Sequence, residues 1–205
     1  MGKPVIAVDI DDVIFPFVPE IIKQFNTRIG ADLTLDDFKV YHFSQVWGST
    51  EEEANDIVAE FLTQDVVHLQ PISGAQEALS ILSRDFRIVL VTARNGLFAP
   101  STQQWLEAHF KDLFEDVIFA GNPHDTVVYR EKGMVCQELG AVVLIDDSPN
   151  NLQSALDYGI DALLFGAHNW NREHSLPAHI ARCETWEETV KYIHENYLAA
   201  QKSDQ

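Results

Sequence analysis

Five short apolar runs divide the chain, and each is rich in Val, Ile, Leu or Phe. They occupy residues 4–9, 86–92, 116–120, 141–146 and 161–166. Continuous apolar runs of this length are typical of parallel strands that are covered on both faces. The pattern therefore predicts a mostly parallel sheet inside an α/β fold.

Helical patterns fill most of the gaps between these runs. We predict a helix capped by Ser73 and running through Arg84, and a second helix opening at Pro100. A third helix opens at Ser148–Pro149, with the cap followed by proline at the first helical position, and ends at Gly159. A last helix starts at Thr185, with Glu188 three residues on as in a capping box. Alternating strands and helices predict a doubly wound parallel sheet with right-handed crossovers.

Residues 16–72 interrupt this alternation. They hold no convincing strand but show helical periodicity near residues 18–29 and 51–64. The simplest placement is a helical insertion after the first strand that folds over the sheet as a cap. We therefore predict an α/β core of residues 1–15 and 73–205, and a helical cap of residues 16–72.

Composition narrows the function. The 205 residues are 46% hydrophobic and 22% charged, as in an ordinary globular protein, and the net charge is −18. This charge repels nucleic-acid polymers and anionic membranes, so we expect neither as a partner. No apolar run is long enough to span a bilayer and no secretory leader is recognisable, which favours a cytoplasmic location. The two cysteines lack metal-ligand spacing and are expected as free thiols, with one disulfide as the alternative.

Acidic residues stand at the ends of several predicted strands. Asp9 ends the first strand, Asp11 lies just beyond it, and Asp146–Asp147 end the fourth, while Thr92 ends the second. The carboxyl ends of parallel strands face one crevice, so these groups should meet there. Clustered carboxylates need a cation among them, and Mg²⁺ is the natural partner when a phosphate supplies further oxygens. The alternative is that aspartate is simply common in turns. That would explain any one of these residues, but it is a weak explanation for all of them together.

The same residues resemble the motifs of the haloacid dehalogenase superfamily. Residues 8–13 (Val-Asp-Ile-Asp-Asp-Val) resemble its DxDx(T/V) motif; Thr92, Lys132 and the Asp146–Asp147 pair match the three later motifs in order. The resemblance implies a Mg²⁺-dependent phosphatase in which Asp9 is the nucleophile and Asp11 the general acid and base.

The resemblance also implies a role for each neighbouring group. Lys132 would stabilise Asp9 and the transferring phosphoryl group, and Thr92 with the backbone N–H of Ala93 would hold phosphate oxygens. The metal would be held by Asp9, the Asp11 backbone carbonyl and Asp147, with Asp146 in support; which of the last two touches the ion is left open.

Two residues keep two interpretations each. Arg94 is either a contact to the substrate phosphate or a surface arginine. Asp12 stands where many superfamily members have glycine; it is either an outward-facing turn residue or a group that tunes metal affinity.

Aromatic residues of the insertion suggest a substrate. Phe17 and Phe43 are expected to contact it, and the wider set is Phe15, Phe17, Tyr41, Phe43 and Trp47, with core packing as the alternative. Aromatic rings that stack on a nucleobase are an arrangement that resembles the 5′(3′)-deoxyribonucleotidase-like branch. The segment Asn169-Trp170-Asn171-Arg172 is similar to a loop of that branch. We therefore expect a small phosphorylated substrate, a nucleoside monophosphate. The alternatives are another small phosphoester, a nucleic-acid terminal phosphate, a dehalogenase, or a binding protein that has lost catalysis. A homodimer is left open.

Overall fold

The computed structural model describes residues 2–40, 42–121, 129–172, 177 and 180–198. Tyr41, one of the aromatics considered above, lies outside the described residues. Within the described part, no helix has the length and apolar character needed to cross a membrane.

A six-stranded parallel sheet forms the centre of the fold, as the apolar runs predict. Its strands are β1 (Val5–Val8), β2 (Arg87–Thr92), β3 (Asp116–Phe119), β4 (Ala141–Asp146), β5 (Asp161–Phe165) and β6 (Ala181–Cys183). They lie in the order β3-β2-β1-β4-β5-β6. The strand order reverses between β1 and β4, where doubly wound sheets bind ligands. β6 was not predicted, because its three residues include Arg182 and form no apolar run.

Helices cover both faces of the sheet, and alternate side chains of each strand belong to two hydrophobic clusters. Val5 and Ala7 of β1 face α6 (Lys132–Leu139) and α7 (Pro149–Asp157). Ile6 and Val8 belong to the cluster that includes residues of α4 (Ala75–Leu82), α5 (Ala99–His109) and α8 (Trp186–Ile193). The doubly wound α/β prediction is confirmed.

Three α-helices lie among the described residues of the segment 16–72 that was predicted as a cap. They are α1 (Phe17–Ile29), α2 (Phe43–Trp47) and α3 (Glu51–Thr63). The two predicted helices are therefore present, and α2 is an additional short one. Thr50 and Glu53 close a reciprocal capping box at the start of α3. Phe25 and Phe61 of this segment join the same hydrophobic cluster as Ile6 of the sheet, so the division at residues 16 and 72 stays a prediction.

Helix starts agree with the sequence in three places and differ in one. The predicted Pro100 is the second residue of α5. Ser148 precedes α7 with Pro149 as its first residue, and the Thr185 side chain accepts from the Glu188 N–H at 3.2 Å. The expectation that Ser73 caps α4 was wrong. Gly74 occupies that position with φ +83°, a left-handed conformation that glycine adopts without strain, and no side chain caps the helix.

Candidate active site

Three buried carboxylates meet where β1 and β4 end. Val8 pairs with Ile145 in the sheet, and the Asp9 N–H donates to the Ile145 carbonyl at 2.9 Å. This register brings Asp9 beside the end of β4. One carboxylate oxygen from each of Asp9, Asp146 and Asp147 lies within 4.8 Å of the others. The sequence expectation that these acids converge therefore agrees with the structure.

Lys132 joins two of these carboxylates. It is the first residue of α6 and is buried, and its Nζ lies 2.7 Å from Asp9 Oδ1 and 2.7 Å from Asp146 Oδ2. Burial alone would lower the pKa of this amine, but the adjacent Asp146 and Asp9 raise it instead. Lys132 is therefore a permanent cation at the site.

The position of Lys132 depends on its neighbour Gly133. A Cβ at residue 133 would lie 2.2 Å from the carbonyl oxygen of Ser154 in α7. Only glycine permits this close approach of α6 to α7, and the Gly133 N–H donates to Ser154 Oγ at 3.2 Å.

The cluster holds more negative charge than Lys132 can balance. Burial raises the pKa of Asp9 to about 7, Lys132 opposes the shift, and Asp146 and Asp11 add to it. Burial likewise raises the pKa of Asp147 well above its ordinary value, with Asp146 adding to the effect. Oxygen donors that are costly to ionise together fit a hard divalent cation, which removes that cost when it binds. The donor set therefore suits Mg²⁺.

Asp146 and Asp147 differ in how their carboxylates are used. Both Asp146 oxygens accept hydrogen bonds: Oδ1 from the Ser148 N–H and from Asn151, and Oδ2 from Lys132 and Asn151. Asp147 lines the cavity, and its Oδ2 accepts from the Trp170 indole N–H at 2.6 Å. The Trp170 ring stacks on His168 with centroids 4.5 Å apart.

Arg94 is buried, so the surface-arginine interpretation was wrong. Its side chain is 2% exposed and forms a two-pronged pair with Asp11, with Nη2 2.7 Å from Oδ1 and Nε 3.0 Å from Oδ2. The Arg94 N–H donates to Thr92 Oγ1 at 3.1 Å. Thr92 is fully buried, whereas Ala93 is exposed and lines the cavity.

Asp12 is also buried, which contradicts the outward-facing alternative. Its φ is +56°, a left-handed conformation that explains why glycine suits this position. Its carboxylate accepts from the Val18 N–H at 3.0 Å, in the first turn of α1, where Pro16 has no side-chain group to cap the helix. Asp12 therefore caps α1 from outside the helix.

A cavity of about 280 Å³ opens over the carboxylates. Its lining includes predicted residues and several that sequence reasoning missed. The predicted ones are Asp9, Asp11, Ala93, Lys132 and Asp147; the missed ones include Tyr129, Arg130, Ser148, Asn150, Asn151 and Ser154. Ser148, Asn150 and Asn151 follow the Asp146–Asp147 pair at the start of a helix, a position that signals proximity to the site. Tyr129 and Arg130 carry no such signal.

The structure does not bring the aromatic pair Phe17 and Phe43 to this cavity. Their rings pack edge to face with centroids 5.6 Å apart, and Phe17 is buried in the core. Trp47 stacks on Phe25 at 4.5 Å. Core packing is thus what the structure shows for Phe17 and Trp47, and substrate contact by Phe17 and Phe43 stays a prediction.

Comparisons with solved structures agree with this fold. A haloacid dehalogenase-like hydrolase from Streptococcus pneumoniae superposes with a TM-score of 0.67 at 12% identity, covering 93% of this chain and 98% of that one. A structure described as a predicted phosphatase from Clostridium acetobutylicum gives 0.68 at 16% identity, covering 95% and 100%. The HAD-hydrolase YfnB from Bacillus subtilis, bound to magnesium, gives 0.61 at 15% identity, covering 94% and 99%. The comparison with curated protein sequences returned no significant match.

The fold, with its buried aspartates and lysine at the end of the sheet, is that of a haloacid dehalogenase-type phosphatase. A family model described as "5' nucleotidase, deoxy (Pyrimidine), cytosolic type C protein" matches residues 3–202. The chain belongs to this family, which confirms the resemblance to the deoxyribonucleotidase-like branch.

Proposed function

We propose that this protein is a Mg²⁺-dependent phosphomonoester hydrolase that acts on nucleoside monophosphates through an aspartyl-phosphate on Asp9. One observation carries the proposal. Asp9 lines the cavity, ion-pairs with Lys132 at 2.7 Å and lies within 4.8 Å of two further carboxylates. A carboxylate held beside a fixed cation and a metal-binding acid cluster is a suitable nucleophile for phosphoryl transfer.

The reaction has two steps. An Asp9 oxygen attacks phosphorus, so that a new O–P bond forms while the ester O–P bond breaks, and Asp11 donates a proton to the departing oxygen. Asp11 then accepts a proton from water as the water oxygen attacks the phosphorus, releasing phosphate and regenerating Asp9. Lys132 stabilises negative charge in both steps, and Ala93, at the cavity lining, presents its backbone N–H to the phosphoryl oxygens.

Mg²⁺ would be held by the side chains of Asp9 and Asp147 and by the Asp11 backbone carbonyl. When bound, it supplies positive charge that offsets the charge of the phosphoryl group. We assign the direct contact to Asp147 rather than Asp146, because Asp147 lines the cavity while both Asp146 oxygens already accept hydrogen bonds. Asp146 then serves to hold Lys132 in place.

Family membership supports the substrate class, and the helical segment of residues 16–72 is the part of the chain that would enclose the nucleoside. The cavity of about 280 Å³ suits a phosphoryl group with its sugar. The net charge of −18 disfavours a polyanionic polymer more than a single small phosphate ester.

Phosphate release from ribo- and deoxyribonucleoside monophosphates, with Mg²⁺ and with EDTA, tests the proposal. We expect release only with Mg²⁺. Asp9→Asn should reduce turnover by at least about 1,000-fold while the protein stays folded. Asp116→Asn is the matched control, since it makes the same chemical change at an exposed residue at the opposite end of a strand. Near-normal turnover by Asp9→Asn would rule out the covalent mechanism. Hydrolysis of 4-nitrophenyl phosphate but of no nucleotide would reject the substrate class alone.

A further inference from the structure

Arg94 is held by contacts on three sides of its guanidinium group. Nη2 and Nε pair with the two oxygens of Asp11, and Nη1 donates to Thr102 Oγ1 at 2.9 Å. The Phe15 ring lies beneath the group, 4.6 Å from the guanidinium carbon. Since Thr102 and Phe15 are fully buried, neither can move aside without disturbing the core. The guanidinium group therefore has a fixed position.

The geometry makes Arg94 a poor ligand for the substrate phosphate. It is absent from the lining of the cavity, whereas Asp11 is part of that lining. Three of its donor positions are already directed at Asp11 and Thr102. A buried arginine needs such partners, because an unpaired charge in the core is strongly destabilising. Arg94 therefore influences the cavity through its contact with Asp11.

We propose that Arg94 is a positioning residue that fixes the Asp11 carboxylate toward the leaving-group oxygen, with Thr102 and Phe15 fixing Arg94 in turn. This inference rests on the proposed function, in which Asp11 is the general acid and base. A planar guanidinium group binds a carboxylate through two parallel hydrogen bonds and so fixes its rotation as well as its distance. The Asp11 side chain, 16% exposed, would otherwise be free to rotate in the cavity.

Leaving groups of different basicity separate this role from the alternatives. A nucleoside alkoxide needs a proton as it departs, whereas 4-nitrophenolate does not. The ratio kcat/KM reports events only up to phosphoryl transfer, so it isolates the step in which Asp11 acts as an acid. We expect Arg94→Gln to lower kcat/KM about 100-fold for a nucleoside 5′-monophosphate but less than about threefold for 4-nitrophenyl phosphate, within the usual range for general acid catalysis.

Equal losses with both substrates would overturn the proposal. A phosphate contact and a merely structural role both predict equal losses, because the two esters share the same phosphoryl group and the same protein. Arg87→Gln is the matched control. It removes another bidentate arginine–carboxylate pair, with Glu115, that is half exposed and lies at the start of β2, the opposite end of the strand from Thr92. It should leave both kcat/KM values unchanged.

A double-mutant cycle adds a second criterion. If Arg94 acts only through Asp11, Arg94→Gln in an Asp11→Asn background should lower kcat/KM for the nucleotide by no more than about twofold. Additive losses would contradict a positioning role.

Thr102→Val keeps the Arg94–Asp11 pair but removes the hydroxyl group that accepts a hydrogen bond from Arg94 Nη1. Valine has nearly the same shape as threonine, so this variant can test the proposal if the Arg94→Gln protein does not fold. We expect a loss of about threefold or more that is confined to the nucleotide, and an unchanged ratio between the two substrates would refute the proposal. A wild-type protein inactive on both esters would instead reject the proposed function itself.

Discussion

Replacing Gly133 by alanine should damage both stability and activity, although alanine is the better helix former. In α6 the new Cβ would lie 2.2 Å from the Ser154 carbonyl oxygen and 2.5 Å from its carbonyl carbon. Favourable non-bonded contacts of carbon are about 3.5–4.0 Å long. The two helices must therefore separate by about 1 Å, and because the obstacle is backbone, no side-chain rotation relieves the contact.

The stability change is the difference between two opposing effects. Overpacking of this kind costs about 1–3 kcal/mol, and a contact with backbone belongs at the upper end. The helix propensity of alanine returns about 1 kcal/mol. We expect a net loss of about 2 kcal/mol, which for a chain of this size lowers Tm by about 4–8 °C.

Activity should fall more steeply than stability, because Lys132 precedes Gly133 in the same helical turn. Its Nζ lies 2.7 Å from both Asp9 and Asp146, and a shift of α6 breaks at least one of these contacts. Misplacement of a catalytic group by about 1 Å can reduce the rate about 100-fold. Steady-state phosphate release at a temperature well below Tm, together with thermal unfolding followed by circular dichroism, measures both effects.

Gly140→Ala provides the control, since it makes the same substitution at the end of the same helix. Gly140 has φ +63° and nothing within 4 Å of its Cβ position. This variant should be less stable than wild type by about 1–2 kcal/mol, because alanine is strained in the left-handed backbone conformation. Its kcat should be unchanged. A Gly133→Ala protein as stable and as active as wild type would refute the reasoning, as would equal loss of kcat in the two variants.

Two further predictions concern residues around the carboxylates. Trp170→Phe removes the indole N–H that donates to Asp147 Oδ2 at 2.6 Å. It should raise the Mg²⁺ concentration for half-maximal activity about 10–100-fold, the usual effect of losing such a supporting hydrogen bond; a Mg²⁺ titration showing no change would exclude this role. Burial raises the pKa of Asp12 in the folded protein above its value in the unfolded chain. The folded state is therefore most stable when Asp12 is protonated, below about pH 4, and this contribution to the free energy of unfolding is lost as pH rises. Asp12→Asn can still accept from the Val18 N–H and cannot ionise. It should therefore unfold at a higher temperature than wild type at pH 7 in EDTA, and the difference should disappear near pH 4. A constant difference across this range would contradict the assignment.

The local sequence determined the sheet and the position of its acids. The five longer strands are apolar runs because both faces of a parallel strand are buried, and this requirement is visible in any single run. Asp9, Thr92 and Asp146 end such runs, so the crossover rule alone places them at one edge. β6 escaped prediction because three residues with a central arginine carry no such pattern.

Only the tertiary structure decided how the side chains around the acids are used. Arg94 and Asp11 are 83 residues apart, and Trp170 and Asp147 are 23 apart, so their hydrogen bonds depend on how separate loops dock. The same holds for Phe17 and Phe43, whose rings pack on each other rather than on the cavity. Periodicity and motifs report which residues are buried and which strand ends are shared. They do not report which partner a buried polar group will hydrogen-bond, because that partner is set by the packing of elements that are distant in the chain.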